Sequence, residues 1–280
     1  VIETVAIVGT GLIGSSFGLA LKKAGFRGRI LGVSSARALE DALARGAVDA
    51  SASLEEAAEA AGLVYLSQTI ARILETLPEL ARSVRPGALV TDAGSTKAQI
   101  VERAECLRGR AQFLGGHPMA GKEKRGAAAA DAGLFAGRTY LITPGAPGDL
   151  ETPAAAEFLE WVRRIGAVPV TLSPLEHDRV VALTSHLPQL LSTTLAATLA
   201  GRLTNPEHLL AGGPGLLDMT RLAGSSWEIW ADILATNAGP IDTALASFIE
   251  KLEAVRAGLA SEPARQAFEA GAAFSARLRK

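Results

Sequence analysis

A single cysteine, Cys106, stands in 280 residues, so no internal disulfide can staple this chain and nothing in it asks for an oxidising compartment. No run of about 20 uninterrupted apolar residues occurs, which excludes a membrane-spanning helix. The apolar N-terminus lacks the basic start of a secretory signal, because Glu3 stands there and glycines interrupt the stretch where a strand should turn. The cytoplasm is therefore the expected compartment. Neither sign of charge is in excess: the formal net charge is −1, which gives no general attraction to nucleic acid or to an anionic membrane surface. Internal repeats and low-complexity tracts are missing too, and no metal is expected. What remains is a small-molecule partner and a globular chain. A composition 48% hydrophobic and 20% charged can build one large domain or two moderate ones.

Short apolar runs at residues 5–8, 29–33, 63–66 and 88–91 are separated by helical, Ala- and Glu-rich sequence. Such alternation predicts a parallel sheet. Further strand candidates lie at 112–114, 139–142 and 168–172, with a helix over 154–164. Beyond Ser173 and Pro174 the strand signals fade and the rest reads as helix, apart from the loop Gly212-Gly213-Pro214-Gly215. The expected fold is α/β: a Rossmann-type parallel-sheet domain over 1–173, then an all-helical domain over 174–280. Within the latter, Ile241, Leu245, Phe248, Ile249, Leu252, Val255 and Leu259 recur at three- and four-residue steps, predicting one buried helical face. A helical domain this apolar, with no sheet of its own, suggests a second subunit as its partner.

The run Gly9-Thr10-Gly11-Leu12-Ile13-Gly14 follows the first strand and opens the first helix. Its spacing suits a sharp turn, a close approach of backbone to a pyrophosphate, and tight packing of helix on strand. The helix N-terminus, at Leu12 and Ile13, would offer unpaired N–H groups to the phosphates. Where the second strand ends, an acidic residue would hold the adenosine ribose of NAD, and the chain instead has Ser34, Ser35 and Arg37. Two hydroxyls and a guanidinium suit a 2′-phosphate better, so NADP is expected in preference to NAD. As a plain helix residue, Arg37 would only be solvated.

Asp92-Ala93-Gly94-Ser95-Thr96-Lys97 follows a strand and opens a helix, so Ser95 or Thr96 is expected to cap it. Next, the glycine-rich segment 115–123 carries a lone histidine, His117, which a loop has little reason to hold for packing. A second, His186, precedes Pro188 and Gln189. Arg221 lies in an otherwise apolar run, ahead of Trp227 and Trp230, and calls for an anionic partner; Asp218 could be that partner within the chain.

Taken in order, GTGLIGSS (9–16), DAGSTK (92–97), GGHPMAGKEKRG (115–126), SHLPQ (185–189) and DMTRLAGSS (218–226) resemble the prephenate and arogenate dehydrogenases of tyrosine biosynthesis over nearly the whole chain. The resemblance implies oxidative decarboxylation of a cyclohexadienol with reduction of the nicotinamide, and homodimers paired through the helical domain. It implies His117 as the catalytic residue, Ser95 as a group orienting it and the nicotinamide, Arg221 as the holder of a substrate carboxylate, and His186 in the same pocket. Gln189, Lys122 and Trp230 are placed with the substrate, and Ser67 with the cofactor. Two departures stand out. Gln189 occupies the position where many prephenate-using members have histidine, leaving prephenate and arogenate both open, and Ser67-Gln68-Thr69 stands where a proline usually follows the fourth strand. With Lys280 as its last residue the chain has no room for a regulatory or mutase module, so tyrosine feedback would act at the active site. The competing readings are a β-hydroxyacid or imine-reducing dehydrogenase, and a redox sensor that binds NAD(P) without turnover.

Overall fold

The structure, a computed structural model, describes residues 2–122 and 124–279. The chain divides into two compact units: residues 1–180 with 225–236, and residues 181–224 with 237–280.

The first unit is built on an eight-stranded sheet. In chain order its elements are β1 (Thr4–Val8), α1 (Leu12–Lys23), β2 (Arg29–Val33), α2 (Ala36–Ala44), β3 (Ala50–Ser51), α3 (Leu54–Ala60), β4 (Leu63–Leu66), α4 (Ile70–Ser83), β5 (Leu89–Asp92), α5 (Ala98–Arg103), β6 (Gln112–Pro118), β7 (Thr139–Pro144), α6 (Pro153–Arg164), β8 (Val168–Thr171) and α7 (Pro174–Val181). Spatially the strands run β3-β2-β1-β4-β5-β6-β7-β8. All neighbours are parallel except β6 and β7, where His117 lies opposite Leu141. The expected parallel sheet is thus present, with one antiparallel pair that alternation alone does not reveal. All four residues of β4 are buried, as strands covered on both faces must be. Phe17 of α1 stacks on Tyr65 with ring centroids 4.0 Å apart, joining helix to sheet at the centre of the core.

From β1 the strand order runs outward in opposite senses, to β2 and β3 on one side and to β4 and β5 on the other, so β1 and β4 flank the crevice where open α/β sheets bind ligands. The carboxyl ends of β1, β4, β5 and β6 all reach the same edge of the sheet.

The second unit holds a π-helical turn at Ala182–His186, then α8 (Leu187–Ala200), α9 (Pro206–Leu209) and α10 (Pro214–Thr220). The chain returns to the first unit for α11 (Trp227–Thr236) and goes back for α12 (Ala238–Ala257) and α13 (Glu262–Leu278). In the first unit, the Asp232 carboxylate of α11 accepts the Ala71 N–H at the start of α4 (2.9 Å), a cap that α4's own N-cap residue Thr69 does not provide. Along α12 only Ile241 and Ala244 are buried, while Ile249, Leu252 and, beyond the helix, Leu259 are exposed. The apolar face predicted there is real as a pattern, but within one chain it is fully covered only at its start, with Leu245, Phe248 and Val255 half-buried.

Candidate active site

At the end of β1 the backbone must turn at once into α1, and Gly9 does so at φ +97°, where an L side chain is strained. A Cβ on Gly9 would also press to 2.8 Å on the Ser67 backbone. One on Gly14 would collide with the Gly9 carbonyl oxygen and the Ser67 hydroxyl, so this glycine is what lets α1 lie against the strand. Gly11 is different: a Cβ there meets nothing within 4 Å. Gly11 is the N-cap of α1 and provides no side-chain cap. Beside it the Thr10 hydroxyl is buried with no hydrogen-bond partner among the described residues. Open space over uncapped N–H groups and an unsatisfied hydroxyl fit a dinucleotide pyrophosphate. Ser67 closes the turn from β4: its N–H donates to Val8 O (2.8 Å) and its hydroxyl to Gly9 O (2.7 Å). A proline at 67 could make neither bond.

Past β2, Ser34, Ser35 and Arg37 are all exposed. Ser35 is the N-cap of α2 without a side-chain cap bond, and Arg37 draws no ion pair among the described residues.

His117 lies within β6, not in a loop beyond it, because the strand runs on to Pro118. Gly115 and Gly116 allow this. A Cβ on Gly116 would come to 2.6 Å from Asp92 O, and one on Gly115 would strike the Thr143 hydroxyl. The imidazole is buried, 9% exposed. Its Nδ1 is 2.9 Å from Nε2 of His177, a fully buried residue of α7. Nδ1 of His177 is in turn 2.8 Å from Oδ1 of Asp178. Burial pulls the His177 imidazole below its ordinary range, against the opposing pull of the Asp178 carboxylate.

The helix after DAGSTK is not capped by Ser95 or Thr96. Lys97 is its N-cap, and the Asp178 carboxylate takes both leading N–H groups, from Lys97 (2.7 Å) and Ala98 (2.9 Å). A carboxylate satisfies two orphan donors where a hydroxyl satisfies one, and it opposes the helix dipole. The Thr96 hydroxyl bonds that of Thr236 instead (2.7 Å). Ser95 is half-buried, and no hydrogen bond joins it to His117 among the described residues.

Beneath β5 and β6 lies a fully buried ion pair, Lys97 with Asp92. Lys97 Nζ also donates to Gly116 O (2.8 Å), and Asp92 accepts from Gly94 N (2.8 Å) and Gly116 N (3.1 Å). Burial pulls the Lys97 ammonium down and Asp92 holds it up. The pair holds Gly116, the residue immediately before His117, at both its N–H and its carbonyl.

Lys122 is exposed and paired with Asp131 (2.8 Å), and Trp230 is half-buried on α11. In the second unit, His186 Nδ1 lies 3.2 Å from the Asn237 amide, and Gln189 donates to Leu222 O (2.7 Å) and the Thr193 hydroxyl (3.0 Å). Arg221 is exposed at the end of α10 and forms no ion pair with Asp218 among the described residues, so that intrachain partner is not used.

Residues 17–171 match the family model described as prephenate dehydrogenase, nucleotide-binding domain, and residues 173–270 the one described as prephenate dehydrogenase, dimerization domain. The chain belongs to the prephenate dehydrogenase family. A prephenate dehydrogenase of Bacillus subtilis is 36% identical over 95% of this chain and 72% of its own length. The structure of prephenate dehydrogenase from A. aeolicus in complex with hydroxyphenyl propionate and NAD+ superposes with a TM-score of 0.84 at 29% identity, covering 100% of this chain and 96% of that one. Arogenate dehydrogenase of Synechocystis gives 0.79 at 28%, over 98% and 99%. Family membership makes this chain an NAD(P)-dependent oxidoreductase.

The sequence reading passed over His177 and Asp178, and it named Asp92 and Lys97 only as the ends of a motif, without a role. His177 and Asp178 sit in Leu175-Glu176-His177-Asp178-Arg179, which reads as the solvated start of a helix. The available signal was their spacing from Val181 and Ala182, buried residues on the same side of α7 and the turn after it.

Proposed function

We propose that this chain catalyses the oxidative decarboxylation of prephenate, arogenate or both, yielding 4-hydroxyphenylpyruvate or tyrosine. One observation carries the reading beyond family membership: a buried histidine with an engaged Nδ1 stands on β6, at the sheet edge where β1 delivers the Gly9–Gly14 turn. A nicotinamide held at the Gly9–Gly14 turn would supply the hydride acceptor for the ring carbon bearing the hydroxyl. His117 takes the hydroxyl proton as that carbon becomes a ketone. Electrons of the bond to the opposite carboxylate then enter the ring, carbon dioxide leaves, and the proton held by His117 returns to the ring oxygen. Aromatisation makes the sequence run forward.

Arg221 is assigned a substrate carboxylate, which a planar guanidinium can hold through two parallel hydrogen bonds. His186, Gln189, Lys122 and Trp230 are assigned to the substrate, and Ser95 to the nicotinamide side of His117. Gly9, Gly11, Leu12, Ile13, Gly14 and Ser67 are assigned to the pyrophosphate turn. Ser34, Ser35 and the exposed Arg37 support NADP over NAD. The exposed apolar residues of α12 and α13, together with the matched dimerization domain, support a second copy of the chain as partner.

The test is production of reduced nicotinamide, followed by its absorbance, for prephenate and arogenate each with NAD+ and NADP+. Turnover with one pairing far above the rest fixes substrate and cofactor together. No turnover with any of the four removes the proposed function and favours the sensor reading.

A further inference from the structure

We infer that His177 and Asp178 are positioning residues that hold His117 in the one neutral tautomer able to take a proton at Nε2. This rests on the reading of His117 as the base. Hydrogen bookkeeping along the chain of contacts leads to it. Asp178 already accepts two hydrogens whose direction is set by the backbone, from Lys97 N and Ala98 N. An ionised carboxylate only accepts, so in its contact with His177 Nδ1 at 2.8 Å the imidazole N–H is the donor. A neutral His177 with its proton on Nδ1 has a lone pair at Nε2. At 2.9 Å from that lone pair, His117 Nδ1 must be the donor. The proton of neutral His117 is thereby placed on Nδ1 and the basic lone pair on Nε2.

Burial keeps His177 neutral, which preserves the direction of the chain. The charged groups that act on it are Asp178 on its own helix, Lys97 at the head of α5 and Asp92 at the end of β5. Were His177 to gain a proton, it would donate from both nitrogens, and His117 would be forced to accept at Nδ1 and carry its proton on Nε2. That tautomer has nowhere to put the substrate's proton. Once His117 has taken the proton and become an imidazolium, its Nδ1–H still points at His177 and the new charge is answered through that ring by the Asp178 carboxylate, the logic by which a carboxylate orients a catalytic histidine elsewhere.

The test uses the full-length protein in three parts. Long-range ¹H–¹⁵N correlation on histidine-labelled wild type is expected to show His117 protonated at Nδ1 and not at Nε2; the reverse tautomer overturns the inference whatever the variants do. His177→Phe removes the acceptor and is expected to lower kcat roughly 10- to 100-fold with KM changed less than about threefold. His177→Gln, which puts a carbonyl oxygen near the place of Nε2, is expected to recover most of that loss. A Phe variant with wild-type kcat, or Phe and Gln variants equally impaired, would mean that His177 is only packing. His117→Asn run alongside separates the two levels: if that variant keeps full kcat, the underlying reading has failed, not merely this inference.

Discussion

The proposed reaction asks different things of His117 and Arg221, and their variants are expected to fail differently. A base acts on a proton that moves only in the transition state, so His117→Asn is expected to lower kcat by about 10²–10⁴ with a modest change in KM. A guanidinium that holds a carboxylate acts already in the ground state. Arg221→Ala is expected to raise KM more than it lowers kcat, and steady-state kinetics on both variants checks the contrast. Unaltered KM in Arg221→Ala would remove the carboxylate assignment. Both residues drew these proposed roles from the sequence because each was out of keeping with its neighbours: a lone imidazole among glycines and a basic side chain in a largely apolar run. His177 and Asp178 did not stand out in this way. A residue whose partners lie 80 positions away, as Asp178 does from Lys97 and Ala98, leaves no mark in local spacing.

Among elements, the strand–turn–helix at β1 and α1 shows how one motif serves two ends. Gly14 gives α1 its close approach to the strand, whereas Gly11 keeps space open where nothing of the chain intrudes. Gly14→Ala is therefore expected to destabilise the fold by about 1–3 kcal/mol, as overpacking does. Gly11→Ala is expected to leave the melting temperature nearly unchanged while raising KM for the dinucleotide about tenfold or more, the worth of ~1.4 kcal/mol. Thermal melts and cofactor titrations of the two variants decide it; a Gly11 variant with unaltered cofactor KM would argue against the cradle. The glycine spacing announced this element because its constraints are local. The antiparallel β6–β7 pair went unannounced, since strand direction is set by how residues 119–138 return to the sheet and not by the strands' own composition.

For the molecule as a whole, stability should report the titration of His177. Its folded pKa is lowered by burial below the ordinary 6.5, so on falling pH the unfolded chain binds this proton first. The contribution is full above about pH 6.5 and is lost as pH falls toward the lower folded value, by up to about 1.4 kcal/mol per pH unit. Urea midpoints of wild type against His177→Gln, from about pH 7.5 to 5, are expected to show the steeper acid decline in wild type; parallel curves would exclude it. Assembly is a second property at this scale. With Leu252, Phe268, Phe274 and Leu278 exposed, the wild-type chain is expected to sediment as a dimer, and Leu252→Glu with Phe268→Glu as a monomer. A wild-type monomer at micromolar concentration would leave those side chains without the proposed partner.

The return of residues 225–236 to the first unit has a consequence for how the chain is made. Synthesis runs from the N-terminus, and domains ordinarily fold as they emerge. Here the sheet can form once residue 180 is out, yet the Asp232 that caps α4 and the Thr236 that meets Thr96 do not exist until residues 181–224 have been translated. The nucleotide-binding unit is thus finished only in a chain that has already produced much of its helical unit. An interrupted message would yield a sheet with an uncapped α4, a natural target for a protease that removes incomplete products.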